Sequence, residues 1–249
     1  AVTLGVISPD WPAPSAVNAL VTQRTGGSSR GSFASLNLGA HVGDAAAAVA
    51  ANRGALVAEL GLPAAPFWMA QVHGREVVDL DLDLGPRAVP EADGAVTSQN
   101  NRVCAVLTAD CLPVLFASVN GTRVGVAHAG WRGLANGILP ATVSALGCEP
   151  SELIAWLGPA ISAEAYEVGD DVRTEFLATN AAAEQYFSAN DRGRWQADLY
   201  GLARQVLSAC GVRKIYGGDL CTFGSPEQYF SHRRESPCGR MATLIWLSS

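Results

Sequence analysis

Between residues 103 and 129 the chain carries short apolar runs separated by turn residues, the pattern of buried strands. Two apolar runs, 112–119 and 122–127, flank Asn120-Gly121, a dipeptide that favours a two-residue type I′ turn, so the runs are expected to pair as an antiparallel hairpin. With Asn120 and Gly121 as the turn, residues whose numbers sum to 241 lie opposite each other. Pro113 then faces His128, and Cys111 is its diagonal neighbour, on the same face at roughly 7–8 Å between backbones. A cysteine and a histidine therefore meet at the open end of the hairpin, where one metal ion can touch both.

The same periodicity places the other elements. Strands are expected at 16–23, 67–70, 76–80, 95–97, 103–108, 154–157, 214–216 and 243–247. Helices are expected from an Asp44 cap to about residue 60, where Gly61 and Pro63 stop it, and over 131–146, with a kink at Pro140 and Gly147 as C-cap. Two more are expected over 170–178 and 198–210. Strands and helices interleave without a clean βαβ repeat, and neither linker nor internal repeat interrupts them. The reading is therefore α+β, a single domain over residues 1–249.

Composition narrows the function classes. Apolar residues make up 49% and charged residues 16% of 249 positions, the balance of a folded enzyme and not of a disordered chain. A net charge of −6 argues against a nucleic-acid partner. No apolar run approaches the ~20 residues of a membrane span, and no basic segment leads an apolar one at the start, so a cytoplasmic protein without a membrane partner is expected. The six cysteines are widely spaced and contain no CxxC pair, which reads as reduced thiols and not as a disulfide or zinc-ribbon framework.

The chain has only four histidines, so a third ligand beside Cys111 and His128 must be His41, His73 or His232. His73, followed by Gly74 and flanked by two expected strands, is the best placed. Asp110 precedes the cysteine and should face the other way on a regular strand. It is a candidate to orient a ligand or shuttle protons, with a turn role as the alternative. Arg233, Arg234 and Arg240 form a basic cluster suited to phosphate, and the loop 24–31 with Arg24 and Arg30 competes for that role. Asn37 and Gln71 are candidates to hydrogen-bond a base or sugar, although a turn role weighs on Asn37. Trp131 and Tyr229 are candidates to stack on a purine.

QVHG at 71–74, TADCLPVLF at 108–116 and AHAGWRG at 127–133 resemble the YfiH family, also called the laccase-domain or multicopper-polyphenol-oxidase-like family. RTGGSSRGSFASLNLGAHVGD at 24–44, NRGAL at 52–56, AYEVGDDV at 165–172 and YFSHRRE at 229–235 extend the resemblance along most of the chain. It implies a mixed-sheet α+β sandwich with flanking helices, and a zinc site of His73, Cys111 and His128. It also implies phosphorolysis of adenosine, inosine or guanosine to base and ribose 1-phosphate, with adenosine deamination and methylthioadenosine phosphorolysis at the same site. The partners implied are purine nucleosides and phosphate. One departure is ISAEA at 161–165, where many members carry a cysteine.

Three other functions use the same residues. Copper-dependent phenol oxidation is consistent with two histidines and a cysteine, but a multicopper centre needs more than four histidines. A metal-free cysteine hydrolase would use Cys111 as nucleophile and His128 or His73 as base. A zinc-stabilised binding module would hold metal without turnover.

Overall fold

The computed structural model describes residues 3–82 and 89–249. In chain order its elements are β1 (Val6–Ile7), β2 (Val17–Thr22), α1 (Ala46–Glu59), β3 (Val77–Asp79), β4 (Gly94–Thr97), β5 (Cys104–Thr108), β6 (Leu112–Ser118) and β7 (Val124–Ala129). There follow α2 (Trp131–Asn136), α3 (Ile138–Leu146), β8 (Leu153–Leu157), β9 (Glu167–Val168), α4 (Asp170–Thr179), β10 (Phe187–Ala189), β11 (Trp195–Ala197), α5 (Leu199–Ala209), β12 (Lys214–Gly217) and β13 (Met241–Leu247). Among the described residues no helix is long and apolar enough to cross a membrane.

A six-stranded mixed sheet runs β12-β8-β6-β7-β4-β3, and a four-stranded sheet runs β1-β2-β13-β5. Strand β6 is buried along its whole length because both of its faces are covered. Leu112, Val114 and Phe116 point to the helical side and pack with Leu134, Ile138 and Leu139. Leu115 and Ala117 point the other way and pack with Val106 and Ile245 of the four-stranded sheet. Helix α1 closes the outer face of that second sheet, where Leu56 packs with Leu107 and Leu244. The fold is thus a two-sheet α+β sandwich flanked by helices, as expected. Each fully buried Leu or Phe in these layers contributes ~1.5–3 kcal/mol of hydrophobic stabilisation.

The hairpin keeps the expected register, with Pro113 opposite His128, but not the expected turn. The Gly121 N–H donates to Ser118 O and the Ser118 N–H to Arg123 O, so the loop is four residues, 119–122. Gly121 has φ 70° while Asn120 is not left-handed, which excludes type I′. Because the loop grows by one residue at each end, the sum of 241 survives.

Other boundaries differ for identifiable reasons. The helical stretch breaks at Gly137 (φ 93°) and not at Pro140, which sits in the first turn of α3, where a missing N–H costs nothing. Residues 67–70 form no strand, since Phe67 bridges Cys104 of one sheet and Ala70 bridges Glu91 beside the other. Asp44 does not cap α1: its carboxylate accepts from Ser29 Oγ and Asn37 Nδ2, and Ala45 is the N-cap. Asp198 does cap α5, accepting from the Gly201 N–H at 2.9 Å. The small sheet β10-β11-β9 has strands of two or three residues, too short for a periodicity to register.

Candidate metal centre

Three chain segments deliver three candidate metal ligands to one point. His128 is carried on β7, Cys111 is the residue immediately before β6, and His73 sits on the turn that leads to β3. Their donor atoms all lie within 4.8 Å of one another, with Cys111 Sγ 3.9 Å from His73 Nε2 and the two imidazoles edge to face at 4.8 Å between centroids. Neither His73 nor Asp110 has ordinary backbone. Their φ values of 59° and 86° lie in the left-handed region, which non-glycine residues adopt at a cost of order 1–3 kcal/mol when the surroundings enforce it.

At His73 the enforcing group is Asp93, which the sequence reading did not single out. Its carboxylate, fully buried, accepts from the backbone N–H groups of Val72 (3.1 Å), His73 (3.0 Å) and Gly74 (2.7 Å). It also receives His128 Nδ1–H at 2.7 Å. One side chain therefore fixes the turn carrying one histidine and the tautomer of the other, leaving His128 Nε2 for the cluster. Gln71 adds a second anchor, pairing its amide with both Leu107 N (2.7 Å) and Leu107 O (2.8 Å) at the end of β5.

Electrostatics in the cluster favour a cation. Burial opposes charge on Cys111, yet the positive field and hydrogen bonds of His128 and His73 lower the thiol below its ordinary range. Burial likewise opposes charge on His128, but Cys111 and Asp93 raise it. Asp93 is held below the ordinary carboxylate range, against its burial, by His128 and the turn amides. The cluster so carries a proton that a divalent ion can displace. A tetrahedral zinc ion with bonds of ~2.0–2.3 Å separates its N and S ligands by ~3.6 Å, and Cys111 Sγ and His73 Nε2 stand 3.9 Å apart. Gly130 leaves the needed space, because a Cβ there would lie 2.9 Å from both Cys111 Sγ and His73 Cδ2. Gly130→Ala should push those two apart and weaken metal binding about tenfold, as read by competition with a chromogenic chelator, with the secondary structure unchanged.

The cluster opens into a cavity of about 170 Å³ lined by His41, Gln71, His73, Cys111, His128, His232 and Arg240, together with Leu107, Thr108 and Ala109. All four histidines of the chain meet there. Arg240 arrives through strand pairing: it precedes β13, whose first residue Met241 lies opposite Thr108, three positions before Cys111.

The remaining candidates lie elsewhere or are already engaged. Asp110 faces away from the cluster and anchors the C-terminal segment, accepting from Thr222 Oγ1 (2.6 Å), Ser231 Oγ (3.0 Å) and the Arg233 N–H (2.7 Å). Arg233 donates to Glu167 O, and Arg234 to the carbonyls of Thr222, Phe223 and Tyr229, so both hold loops together. Asn37 is fully buried, and its Oδ1 accepts from the backbone N–H groups of Gly39 and Arg240, the turn role. In the 24–31 loop the Gly27, Ser28 and Ser29 amides bond Ser35 and Asn52, and the Arg24 guanidinium bonds Ala34 O and Pro226 O. Tyr229 is core, Trp131 packs against the helical side, and neither lines the cavity. Asp93 and Gly130 escaped notice because an acid before a glycine and a glycine after a strand both read as ordinary turn residues.

Relatives carry this fold end to end. The profile of the family described as multi-copper polyphenol oxidoreductase laccase matches residues 18–248. The chain is 50% identical over 243 residues to a purine nucleoside phosphorylase of Pseudomonas aeruginosa, covering 97% of this chain and 98% of that one. It is 48% identical over 242 residues to the purine nucleoside phosphorylase YfiH of Escherichia coli, with 97% and 98% covered. Among solved structures, a Neisseria meningitidis protein aligns with a TM-score of 0.94 at 46% identity, covering 98% of this chain and all of that one. YlmD from Geobacillus stearothermophilus aligns with a TM-score of 0.88 at 33% identity over 96% and 94%. With its profile matched nearly throughout and its fold shared at this identity, the chain belongs to the YfiH family, the laccase-domain proteins.

Proposed function

We propose that this chain is a single-domain, zinc-dependent purine nucleoside phosphorylase that converts adenosine, inosine or guanosine and phosphate to the free base and ribose 1-phosphate. The observation that carries the reading is the cluster of two imidazoles and one thiol, His73, His128 and Cys111, fixed by Asp93 at the floor of a cavity, in a chain half identical to a named phosphorylase. Two imidazoles and a thiolate are the donor set of a catalytic zinc site, and His73, Cys111 and His128 would hold such an ion, which would supply a Lewis acid. Around it the protein's own groups do the positioning. Asp93 orients His128 through Nδ1, Gln71 holds the 71–74 turn, and Asp110 anchors the segment that carries His232 into the cavity.

Phosphorolysis breaks the bond from ribose C1′ to the purine nitrogen and makes one from C1′ to a phosphate oxygen, and the leaving base takes up a proton. The cavity brings together groups that can bind an oxyanion and donate a proton, namely Arg240, His41 and His232. Adenosine deamination and methylthioadenosine phosphorolysis at the same site, and function in the cytoplasm, belong to the same proposal.

Copper-dependent phenol oxidation has one observation in its favour, the description of the family profile. Against it, His73, Cys111 and His128 are the one cluster of this kind among the described residues, and only two further histidines exist in the chain. A metal-free cysteine hydrolase would use the same thiol and would keep its activity in chelator.

Product analysis tests the proposal. Zinc-loaded protein incubated with inosine should release hypoxanthine only when phosphate is present, with one ribose 1-phosphate per base. Release of base with free ribose, or phenol oxidation exceeding phosphorolysis without added copper, would overturn it.

A further inference from the structure

We propose that Arg240 and His41 form the oxyanion subsite of the cavity, holding inorganic phosphate beside the His73–Cys111–His128 cluster. Naming phosphate as the anion rests on the phosphorylase reading; the subsite itself rests on geometry. Arg240 is held through both its backbone and its side chain. Its backbone N–H donates to Asn37 Oδ1 at 2.9 Å, its carbonyl accepts from the Leu38 N–H at 3.2 Å, and its Nη1 donates to the carbonyls of Cys238 and Gly239. The aliphatic stem lies over Gly39, where a Cβ would come 2.8 Å from Arg240 Cγ, so only glycine allows the stem that path. The 37–41 loop that grips Arg240 also carries His41 to the cavity wall.

The wall away from Cys111 carries positive charge and no carboxylate. Burial first, and then the positive charges of Arg240 and Arg53, hold the His41 imidazole below its ordinary range. No acidic residue lines the cavity among the described residues. Thr108, which also lines it and is 2% exposed, has a buried hydroxyl without a hydrogen-bond partner among the described residues. A guanidinium fixed in place, an imidazole at the cavity wall and an unpartnered hydroxyl, with no carboxylate to neutralise them, are the donors an oxyanion requires. A preorganised site of this kind positions a nucleophile that carries charge next to a ribose that carries none.

The test compares Arg240→Met, His41→Gln and Gly39→Ala with the parent, all zinc-loaded. Phosphate KM should rise at least about tenfold in Arg240→Met and severalfold in His41→Gln and Gly39→Ala, while zinc stays at one per chain and nucleoside KM changes less than about twofold. Unchanged phosphate KM in both Arg240→Met and His41→Gln overturns the subsite and leaves the phosphorylase reading intact. If the parent performs no phosphorolysis, calorimetry with inorganic phosphate decides: binding by the parent that the variants lose supports the subsite, and no binding by the parent overturns it. His41 is exposed at the cavity mouth, so its variant keeps the proposal testable should Arg240→Met fold poorly.

Discussion

Cys111→Ala is expected to abolish tight zinc binding and to lower phosphorolysis at least ~10³-fold while leaving the sandwich folded. The half-buried thiol makes few structural contacts: its polar neighbours are the two imidazoles, and the strand that follows is held by its own ladder. Two histidines alone are a weak site, so zinc should fall from one per chain to below about a tenth after dialysis. Stability separates this outcome from misfolding. A ligand at 100 times its Kd stabilises the native state by ~2.7 kcal/mol, which for a chain of this size shifts Tm by roughly 5–10 °C. Chelator should therefore lower the Tm of the parent and leave that of the variant unmoved. A variant that retains full zinc occupancy removes Cys111 from the site.

Asp93→Asn should be nearly as damaging, and for a different reason. The carboxylate accepts from four donors, one of them an imidazole. An asparagine offers one oxygen, and its NH2 must then point at either the Val72 and Gly74 amides or the His73 N–H and His128 Nδ1–H. Buried donors left unpaired cost about 1–3 kcal/mol each, so a loss of ~3 kcal/mol in stability is expected by denaturant titration. The His73 turn loses the anchor for its left-handed residue and His128 loses its fixed tautomer, which should weaken zinc binding by about 10–100-fold. Asp93→Glu should not rescue it, because an extra methylene has no room in a fully buried position. If zinc affinity in Asp93→Asn equals that of the parent, Asp93 is only a fold residue.

What the sequence carried was the local part of this geometry. Period-two alternation across 112–127 placed Cys111 and His128 on one face, and the pairing bears this out even though the turn is two residues longer than Asn-Gly suggests. Centring, not turn type, sets register. The long-range part was not legible. Arg240 reaches the cavity only because β13 pairs with β5, a partnership between residues more than 130 positions apart, which no periodicity encodes. Arg233 and Arg234, in the same basic cluster, are turned onto loop carbonyls by the anchoring at Asp110. Asp93 was hidden for a third reason: its importance lies in four donors contributed by two distant segments, and an acid before a glycine looks like any strand entry.

The central claim, that one metal ion on His73, Cys111 and His128 supports phosphorolysis, is tested most directly by titrating metal-free protein with zinc while phosphate-dependent base release is measured. Activity should rise linearly from near zero and stop at one zinc per chain, and copper should not substitute to the same rate. Full activity in the metal-free protein, or a requirement for two or more copper ions per chain, would contradict the account.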